Sequence, residues 1–408
     1  MDQPRRAVLM SLTVLLLVAC GTPETARVSD ASQDVLFLAS PRGLLVTEVD
    51  ASSPNFRGVA VPSSDWSTIV RTNTAQGSTN VVAVESASGA ELWERTVPGG
   101  MEAKVVSGNG DLVVLSPLRQ AHYRYGRKET HLVVTGRDVA EPQSILLEGN
   151  FEPEAFSTDG GSLFVIRYLP ARAPKQYQVR RLDLRTERVR AVYTQDAELQ
   201  EAMGGTARIQ TSSRDGRFLY TLYTIRSGES RYAFIHVLNL DDLWAHCIDL
   251  PVPFATTPES ATALSTSPDG KRLYVINTAV GMIAEVDTKT LQVVRTDSIA
   301  FDSGDTTYAA HDSGSTLYLA ARRRVVGIDT TDLSESRSWL MSQPVSGIQT
   351  TGDSERLYVG LRNQVVVLDA GTGARVRALD PPGIKRIDQL GPVTRTLEET
   401  RDSFTCAC

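Results

Sequence analysis

A short turn followed by a strand recurs along most of this chain, and it restricts the possible fold more than any other feature. The turn is clearest at residues 267–270, which read Ser-Pro-Asp-Gly. Proline presets φ there, and the Asp-Gly pair tolerates positive φ. Residues 273–276, Leu-Tyr-Val-Ile, have the β-branched and aromatic composition of a strand, and a second strand then ends at Asp287. This order predicts an antiparallel meander of about 40 residues, repeated along the chain.

Related turns, each containing an aspartate, recur at intervals of 41 to 56 residues. The steps from Asp159 to Asp215, Asp269, Asp312 and Asp353 are 56, 54, 43 and 41 residues. Four of the five strands that follow have an aromatic residue at the second position: Phe164, Tyr274, Tyr318 and Tyr358. A later strand in four of the units ends in aspartate, at Asp183, Asp287, Asp329 and Asp369. The longer units contain polar insertions at residues 170–175 and 226–231, which we interpret as surface loops.

The two ends of the repeat region are incomplete. Residues 35–38 and 44–49 have the pattern of two strands of a first unit, and residues 384–387 resemble a lone strand. A partial unit at each end is expected of a ring that closes by pairing strands from both termini, which also removes exposed sheet edges. The sequence therefore predicts an all-β propeller over residues 35–395, with seven or eight four-stranded blades. Two β-sandwiches are the alternative, but they do not explain one turn-strand-strand-Asp order at this spacing.

Residues 267–287 resemble the YVTN type of β-propeller repeat, a relative of the WD-repeat propellers. In that family an S-P-D-G turn precedes a strand that reads L-Y-V, and the next strand ends in V-x-V-I-D or a similar sequence. Residues 357–369 match nearly as well, and the resemblance covers roughly residues 35–390. It implies a propeller and leaves the function open, because the family includes surface proteins, binding scaffolds and a lactonase-like branch.

The N-terminus resembles a bacterial lipoprotein signal. Arg5 and Arg6 precede an apolar stretch, residues 7–19, that is too short to span a bilayer stably and ends Leu-Val-Ala before Cys20. The resemblance implies a signal peptide over residues 1–19, a lipid on the Cys20 sulfur, and attachment at the extracytoplasmic face of a bacterial membrane, in the periplasm or at the cell surface. A secretory peptide with an incidental cysteine is the alternative. We expect residues 20–34 to form a flexible tether and residues 396–408 a disordered tail.

Charge and cysteine content restrict the partners. The formal net charge is −6 and the pI about 5.5, so the chain lacks the basic footprint of a nucleic-acid-binding protein. Two basic runs, residues 123–128 and 322–324, are predicted to be solvated loops rather than binding patches. Besides Cys20 the chain has Cys247, predicted to be a small buried residue, and Cys406 and Cys408 in the tail.

No catalytic motif is present in the sequence. Nucleophile elbows, phosphate-binding loops, zinc-ligand spacings and dinucleotide fingerprints are missing, so no catalytic, cofactor-binding or metal-binding residue can be assigned, and no cofactor is expected. The five histidines are scattered over several units: His122, His131, His236, His246 and His311.

Three classes of function fit these observations. The first is a non-catalytic, membrane-tethered scaffold that binds a protein or glycan through the loops of a rigid ring. The second is a lactonase-like hydrolase with its site at the central channel, which requires acidic, basic or histidine side chains to converge there. The third is a redox or quinone-dependent protein. A Gly-to-Trp segment at residues 89–93 resembles the docking motif of quinoprotein propellers, but it does not recur in most units.

Overall fold

A computed structural model describes residues 34–49, 51–194, 203–227, 230–255, 259–301, 305–312, 314–351, 353–381 and 383–391. The predicted signal peptide with Cys20, nearly all of the tether, and the tail with Cys406 and Cys408 lie outside these residues. The described part is all-β, with short 3-10 helices at Tyr123–Tyr125, Val252–Ala255 and Glu259–Ala261. None of its helices is long and apolar enough to cross a bilayer.

The strands form eight groups in chain order, which we call units 1 to 8. Unit 1 contains Val35–Ser40, Gly43–Glu48 and Phe56–Gly58. Unit 2 contains Val61–Pro62, Thr68–Ala75, Ser78–Glu85 and Glu91–Pro98. Unit 3 contains Met101–Val106, Leu112–Pro117, Glu129–Gly136 and Gln143–Glu148. Unit 4 contains Asn150–Phe156, Ser162–Leu169, Gln176–Asp183 and Arg188–Ala191.

The second half of the chain continues the same order. Unit 5 contains Thr206–Ser212, Phe218–Ser227, Ser230–Asn239 and Trp244–Leu250, and Tyr193–Thr194 adds a fifth strand to it. Unit 6 contains Thr262–Thr266, Arg272–Asn277, Met282–Asp287 and Gln292–Ser298. Unit 7 contains Thr307–His311, Thr316–Ala321, Arg324–Asp329 and Glu335–Leu340. Unit 8 contains Gly347–Thr350, Arg356–Gly360, Val365–Asp369 and Arg375–Leu379. The last strand of the chain is Gln389–Leu390.

Within each unit the consecutive strands are antiparallel, so each sheet has two distinct ends. The first-to-second and third-to-fourth connections lie at one end, which we call the turn end. The second-to-third connections lie at the opposite end, the loop end. Units 2, 3, 4, 6 and 7 are separate four-stranded sheets, and units 1 and 8 join in one eight-stranded sheet. The all-β prediction and the five strands predicted behind the repeated turns are confirmed.

The repeated turn is held by one serine and one aspartate. The Ser267 hydroxyl donates to Asp269 Oδ1 (2.7 Å) and accepts from the Arg272 amide (3.0 Å), while Asp269 Oδ1 also accepts from the Lys271 amide (3.0 Å). These hydrogen bonds hold the pKa of Asp269 well below its ordinary value, the Ser267 hydroxyl contributing most. Gly270 has φ +70°, as predicted. The same pairing recurs at Ser63 and Asp65, Ser157 and Asp159, Ser213 and Asp215, and Thr351 and Asp353.

Aliphatic clusters fill the spaces between consecutive units. One, for example, joins Val105, Val114 and Leu132 of unit 3 to Leu163 and Val165 of unit 4. Alternation along each strand directs one set of apolar side chains to the preceding unit and the other to the following unit. Both faces of each sheet are therefore buried, which explains why the strands are nearly continuous in β-branched and aromatic residues.

The first and last units also contact each other. Leu38 pairs with Leu390 and Ala39 with Gln389 in antiparallel register, and Leu390 also pairs with Gly347 of unit 8. The lone strand predicted at residues 384–387 is wrong in position, because the strand is Gln389–Leu390. Ile387 is instead a buried residue of the cluster between units 8 and 1, and Ile384 packs against that cluster.

Candidate functional site

A groove of about 840 Å³ opens at the turn end between units 6 and 7. Glu285, which is 7% exposed, is its central charged residue. Arg272 Nε donates to Glu285 Oε1 (2.7 Å), and Arg295 Nε donates to Oε2 (3.0 Å). Arg272 also donates to Asp287. Both oxygens of Glu285 therefore accept charge-assisted hydrogen bonds, so this carboxylate holds the two guanidinium groups in place.

The groove belongs to a set of contacts that connect neighbouring units. Arg295 of unit 6 donates to the carbonyls of Thr330 (2.8 Å) and Thr331 (2.7 Å) in the next unit. Arg337 of unit 7 likewise donates to the Ala370 carbonyl of unit 8 (2.7 Å). These arginines occupy equivalent positions, opposite Glu285 and Gly327 of their own sheets. In unit 7 the Arg337 stem lies where a Gly327 side chain would be, so Arg337 packs directly over the glycine that occupies the position of Glu285.

His311 adds an unusual group to the groove. Its side chain is 4% exposed, and its Nδ1 lies 2.7 Å from the Asp312 carbonyl oxygen. The other ring nitrogen, Nε2, is buried and has no hydrogen-bond partner among the described residues. The imidazole lies 5.6 Å from the Tyr274 ring. Burial raises the pKa of the Tyr274 phenol, and Glu285 raises it further.

A second feature rises from the loop end of units 3 and 4. Second-to-third connections have two residues in units 2 and 7, but residues 118–128 form this connection in unit 3 and residues 170–175 in unit 4. The two loops contact each other: the Arg127 amide donates to the Ala171 carbonyl (2.9 Å), and a side chain at Gly126 would meet the Arg172 backbone. We call these two loops the basic rim.

Buried polar groups make the basic rim rigid. Arg127, whose side chain is 4% exposed, donates to Glu152 (2.6 Å) and, through Nε, to Asn150 Oδ1 (2.9 Å). Asn150 in turn donates to the Tyr123 carbonyl (2.7 Å). The Tyr123 ring stacks on Tyr168 at 4.3 Å. These buried contacts hold residues 123–127 against the first strand of unit 4, which restricts the conformation of the loop before any ligand binds.

The prediction that residues 123–128 are a solvated loop is therefore wrong for two of them. Tyr123 is 2% exposed and Arg127 is 6% exposed. Other residues of the same loop are open to solvent: Tyr125 is 83% exposed and Leu118 54%. The loop thus has buried residues that hold it and exposed residues that it presents.

The remaining residues singled out in the sequence are dispersed. Cys20 lies outside the described residues. Cys247 is half-buried rather than fully buried. His236 and His246 lie on neighbouring strands of unit 5, and burial lowers the pKa of His236 to about 4, with a further contribution from His246. No group of three or more His, Cys, Asp or Glu able to hold a metal occurs among the described residues. Glu285 and Arg295 carry no recognisable signal in the sequence, because ion pairs of this kind depend on strand register.

Comparison with models of known protein families gives no match, and comparison with curated protein sequences gives none either. Solved structures do match. AztD from Citrobacter koseri, in its apo form, superposes with a TM-score of 0.55 at 13% identity, over 87% of this chain and 96% of AztD. The dihydro-heme d1 dehydrogenase NirN, in complex with DHE, gives 0.51 at 16% identity, over 89% of this chain and 75% of NirN. Both are β-propellers, and the likeness shows the fold alone.

Proposed function

We propose that this chain is a lipid-anchored β-propeller that binds a ligand through the loop end of its ring. For the ring itself we infer eight four-stranded blades, one per unit, with Gln389–Leu390 completing the first blade. The pairing of Leu38 with Leu390 supports closure, as does the apolar cluster shared by units 8 and 1. Closure of this kind joins the ends of the chain without a covalent bond.

The anchor rests on the Leu-Val-Ala-Cys sequence that ends at Cys20. A diacylglycerol on this sulfur would hold the mature protein at the extracytoplasmic face of a bacterial membrane. Cys20→Ser should leave the propeller folded and move it from the membrane fraction to the soluble fraction. Intact-mass analysis of the wild type should show a lipid-modified N-terminus, and an unmodified soluble protein would refute the anchor.

Binding without catalysis is the activity that the geometry supports best. The observation that carries it is the basic rim, a pair of long loops fixed by the Arg127, Asn150 and Glu152 network while Tyr125 and Leu118 remain exposed. Exposed aromatic residues on rigid loops are favourable binding groups, because they offer contact area at little entropic cost.

The test uses substitutions that leave the buried network intact. The wild type and a Leu118→Ser, Tyr125→Ser double variant are compared on glycan and extracytoplasmic-protein arrays. We expect the wild type to bind a restricted set of ligands and the variant to lose them with unchanged thermal stability. A matched aromatic and aliphatic pair of exposed residues at the turn end, Tyr193→Ser and Val376→Ser, is the control. Equal binding by the two double variants would refute the assignment to the loop end.

A lactonase-like hydrolase is the second candidate, favoured by the unpartnered Nε2 of His311 in the groove. In that case His311 is the general base, since both oxygens of Glu285 are engaged by arginines. The groove lies at the turn end between units 6 and 7 and is lined by residues of several strands, whereas the sequence led us to expect a catalytic site at the central channel. Hydrolysis of a panel of lactones that falls to background in His311→Asn, with folding retained, would establish it.

A further inference from the structure

Charge is strongly segregated in this protein. Residues 112–128 contain four basic residues and residues 162–182 contain five, and neither segment contains Asp or Glu. The formal net charge of the whole chain is −6, so the remaining residues together carry about −15. The two segments are the strands and loops that build the basic rim. Arg127 in the first segment is paired with Glu152, so the positive charge that this acidic protein presents at the rim is carried by the exposed residues of the two loops.

Four of these cations are available to a ligand. Arg119, Lys128, Arg172 and Lys175 are exposed, and none of them forms an ion pair with any described residue. Deeper in unit 4, burial lowers the pKa of Arg180 and the neighbouring Arg167 lowers it further. The guanidinium groups there are not neutralised by the protein itself, which leaves the field of the rim positive.

We propose that the basic rim binds an acidic polysaccharide, one whose sugars carry carboxylate groups. This deepens the proposed function, on which it rests, by naming the class of ligand. A polymer of uronic acids presents carboxylates at regular intervals, so one chain can meet several of the exposed cations of the two loops. The C–H faces of its sugar rings can pack against an aromatic ring, and Tyr125 of the same loop as Arg119 and Lys128 is exposed.

Other anionic partners fit the rim less well. A peptide adding a strand would need free backbone groups, yet the Gly126, Arg127 and Lys175 amides already donate to carbonyls of the rim. Single-stranded nucleic acid stacks successive bases on several aromatic residues, whereas the described residues of the two loops expose only Tyr125 to this degree.

The anionic surface of the anchoring membrane is also disfavoured. The first strand begins after Asp34, which accepts a hydrogen bond from the Tyr358 hydroxyl (2.7 Å) at the turn end. The described chain therefore begins at the end opposite the basic rim, so an anchor attached through residues 20–33 favours a rim that faces the surrounding medium rather than the lipid headgroups.

The test measures binding of the full mature chain to polygalacturonate, with neutral dextran as the uncharged comparison. The four exposed cations are replaced together: Arg119→Gln, Lys128→Gln, Arg172→Gln and Lys175→Gln. We expect the wild type to bind polygalacturonate and not dextran, with affinity falling as salt is raised. The quadruple variant should bind roughly ten- to hundredfold more weakly, because each exposed ion pair contributes modestly and four are lost at once.

A control variant removes the same charge elsewhere, through four exposed basic residues outside the rim: Arg71→Gln, Arg188→Gln, Lys289→Gln and Arg375→Gln. It should bind as the wild type does. An equal loss in both variants would overturn the proposal, and so would tighter binding of the wild type to phosphatidylglycerol vesicles, polyglutamate or single-stranded DNA than to polygalacturonate. If the quadruple variant keeps the array ligands that Leu118→Ser, Tyr125→Ser loses, the polysaccharide assignment fails and the proposed function stands.

Discussion

Two glycines with the same backbone conformation separate the cost of backbone strain from the cost of crowding. Gly270 has φ +70° and Gly373 has φ +71°. A Cβ on Gly270 would meet no atom within 4 Å, whereas a Cβ on Gly373 would lie 2.1 Å from Nε1 of Trp339. The two sites therefore differ mainly in what surrounds them.

The structure gives the expected magnitudes. Alanine at Gly270 costs only the left-handed conformation, about 1 kcal/mol, less a few tenths for the reduced freedom of the unfolded chain. Valine there should destabilise by roughly 1–3 kcal/mol, because a β-branched side chain tolerates positive φ least. Alanine at Gly373 pays the same backbone cost and also displaces the Trp339 indole, which adds roughly 1–3 kcal/mol of overpacking.

The assay is urea unfolding followed by tryptophan fluorescence and circular dichroism. We expect Gly373→Ala to be destabilised by about 2 kcal/mol more than Gly270→Ala. In a Trp339→Ala background that difference should vanish, since the atom that meets the new methyl group is gone. Equal free energies of unfolding for the two single variants, or a difference that persists without Trp339, would refute the reasoning.

Three further predictions concern closure, acid stability and the loop network. Deletion after Asp380 removes the Gln389–Leu390 strand and should lower the melting temperature and promote aggregation, while removal of residues 396–408 should do neither; identical behaviour of the two deletions would contradict the closed ring. Burial lowers the pKa of His236 to about 4, so between pH 6.5 and 4 the unfolded chain binds a proton at this residue and the folded chain does not. The free energy of unfolding should therefore fall by up to about 3 kcal/mol as the pH is lowered through this range. His236→Gln should reduce this pH dependence of stability. Arg127→Met should destabilise the fold by roughly 3–5 kcal/mol, because it leaves the Glu152 carboxylate without its ion-pair partner. The double variant Arg127→Met, Glu152→Leu should recover part of the lost stability, measured by thermal unfolding.

Much of the fold could be predicted because its determinants are local. The Ser267 and Asp269 side chains accept hydrogen bonds from backbone amides no more than five residues further along the chain, so a short sequence segment determines the turn. The aromatic second position of the following strand also has a physical reason. The Tyr318 hydroxyl donates to the Ala370 carbonyl (2.9 Å) of the next unit, and the Tyr358 hydroxyl donates to Asp34. Tyrosine recurs at this position because its ring fills the core between units while its hydroxyl reaches a polar partner in the next unit.

The sites could not be predicted because their determinants are distant in sequence. Arg127 is buried because Glu152 and Asn150, on the first strand of the next unit, bind its guanidinium group. These partners are not adjacent to it in sequence, so its charge alone predicts an exposed residue. Glu285 meets Arg295 only through the register of two strands. The sequence predicts the last strand a few residues too early, because residues 384–387 and Gln389–Leu390 are both short, and a short apolar run does not fix its own pairing.

The two ends of the sheets differ in their contacts, and this difference also bears on function. The contacts that define the repeat lie at the turn end: the Ser–Asp turns, the tyrosine hydroxyls, and the arginines that reach the next unit, such as Arg295 and Arg337. The groove near His311 occurs within this set, where Glu285 replaces the glycine of unit 7, so it is a variation of a structural contact. The loop end has no such repeated requirement, and its connections range from two residues to the eleven of residues 118–128. A sequence can change there without disturbing the contacts between units, which is why we place recognition at the basic rim.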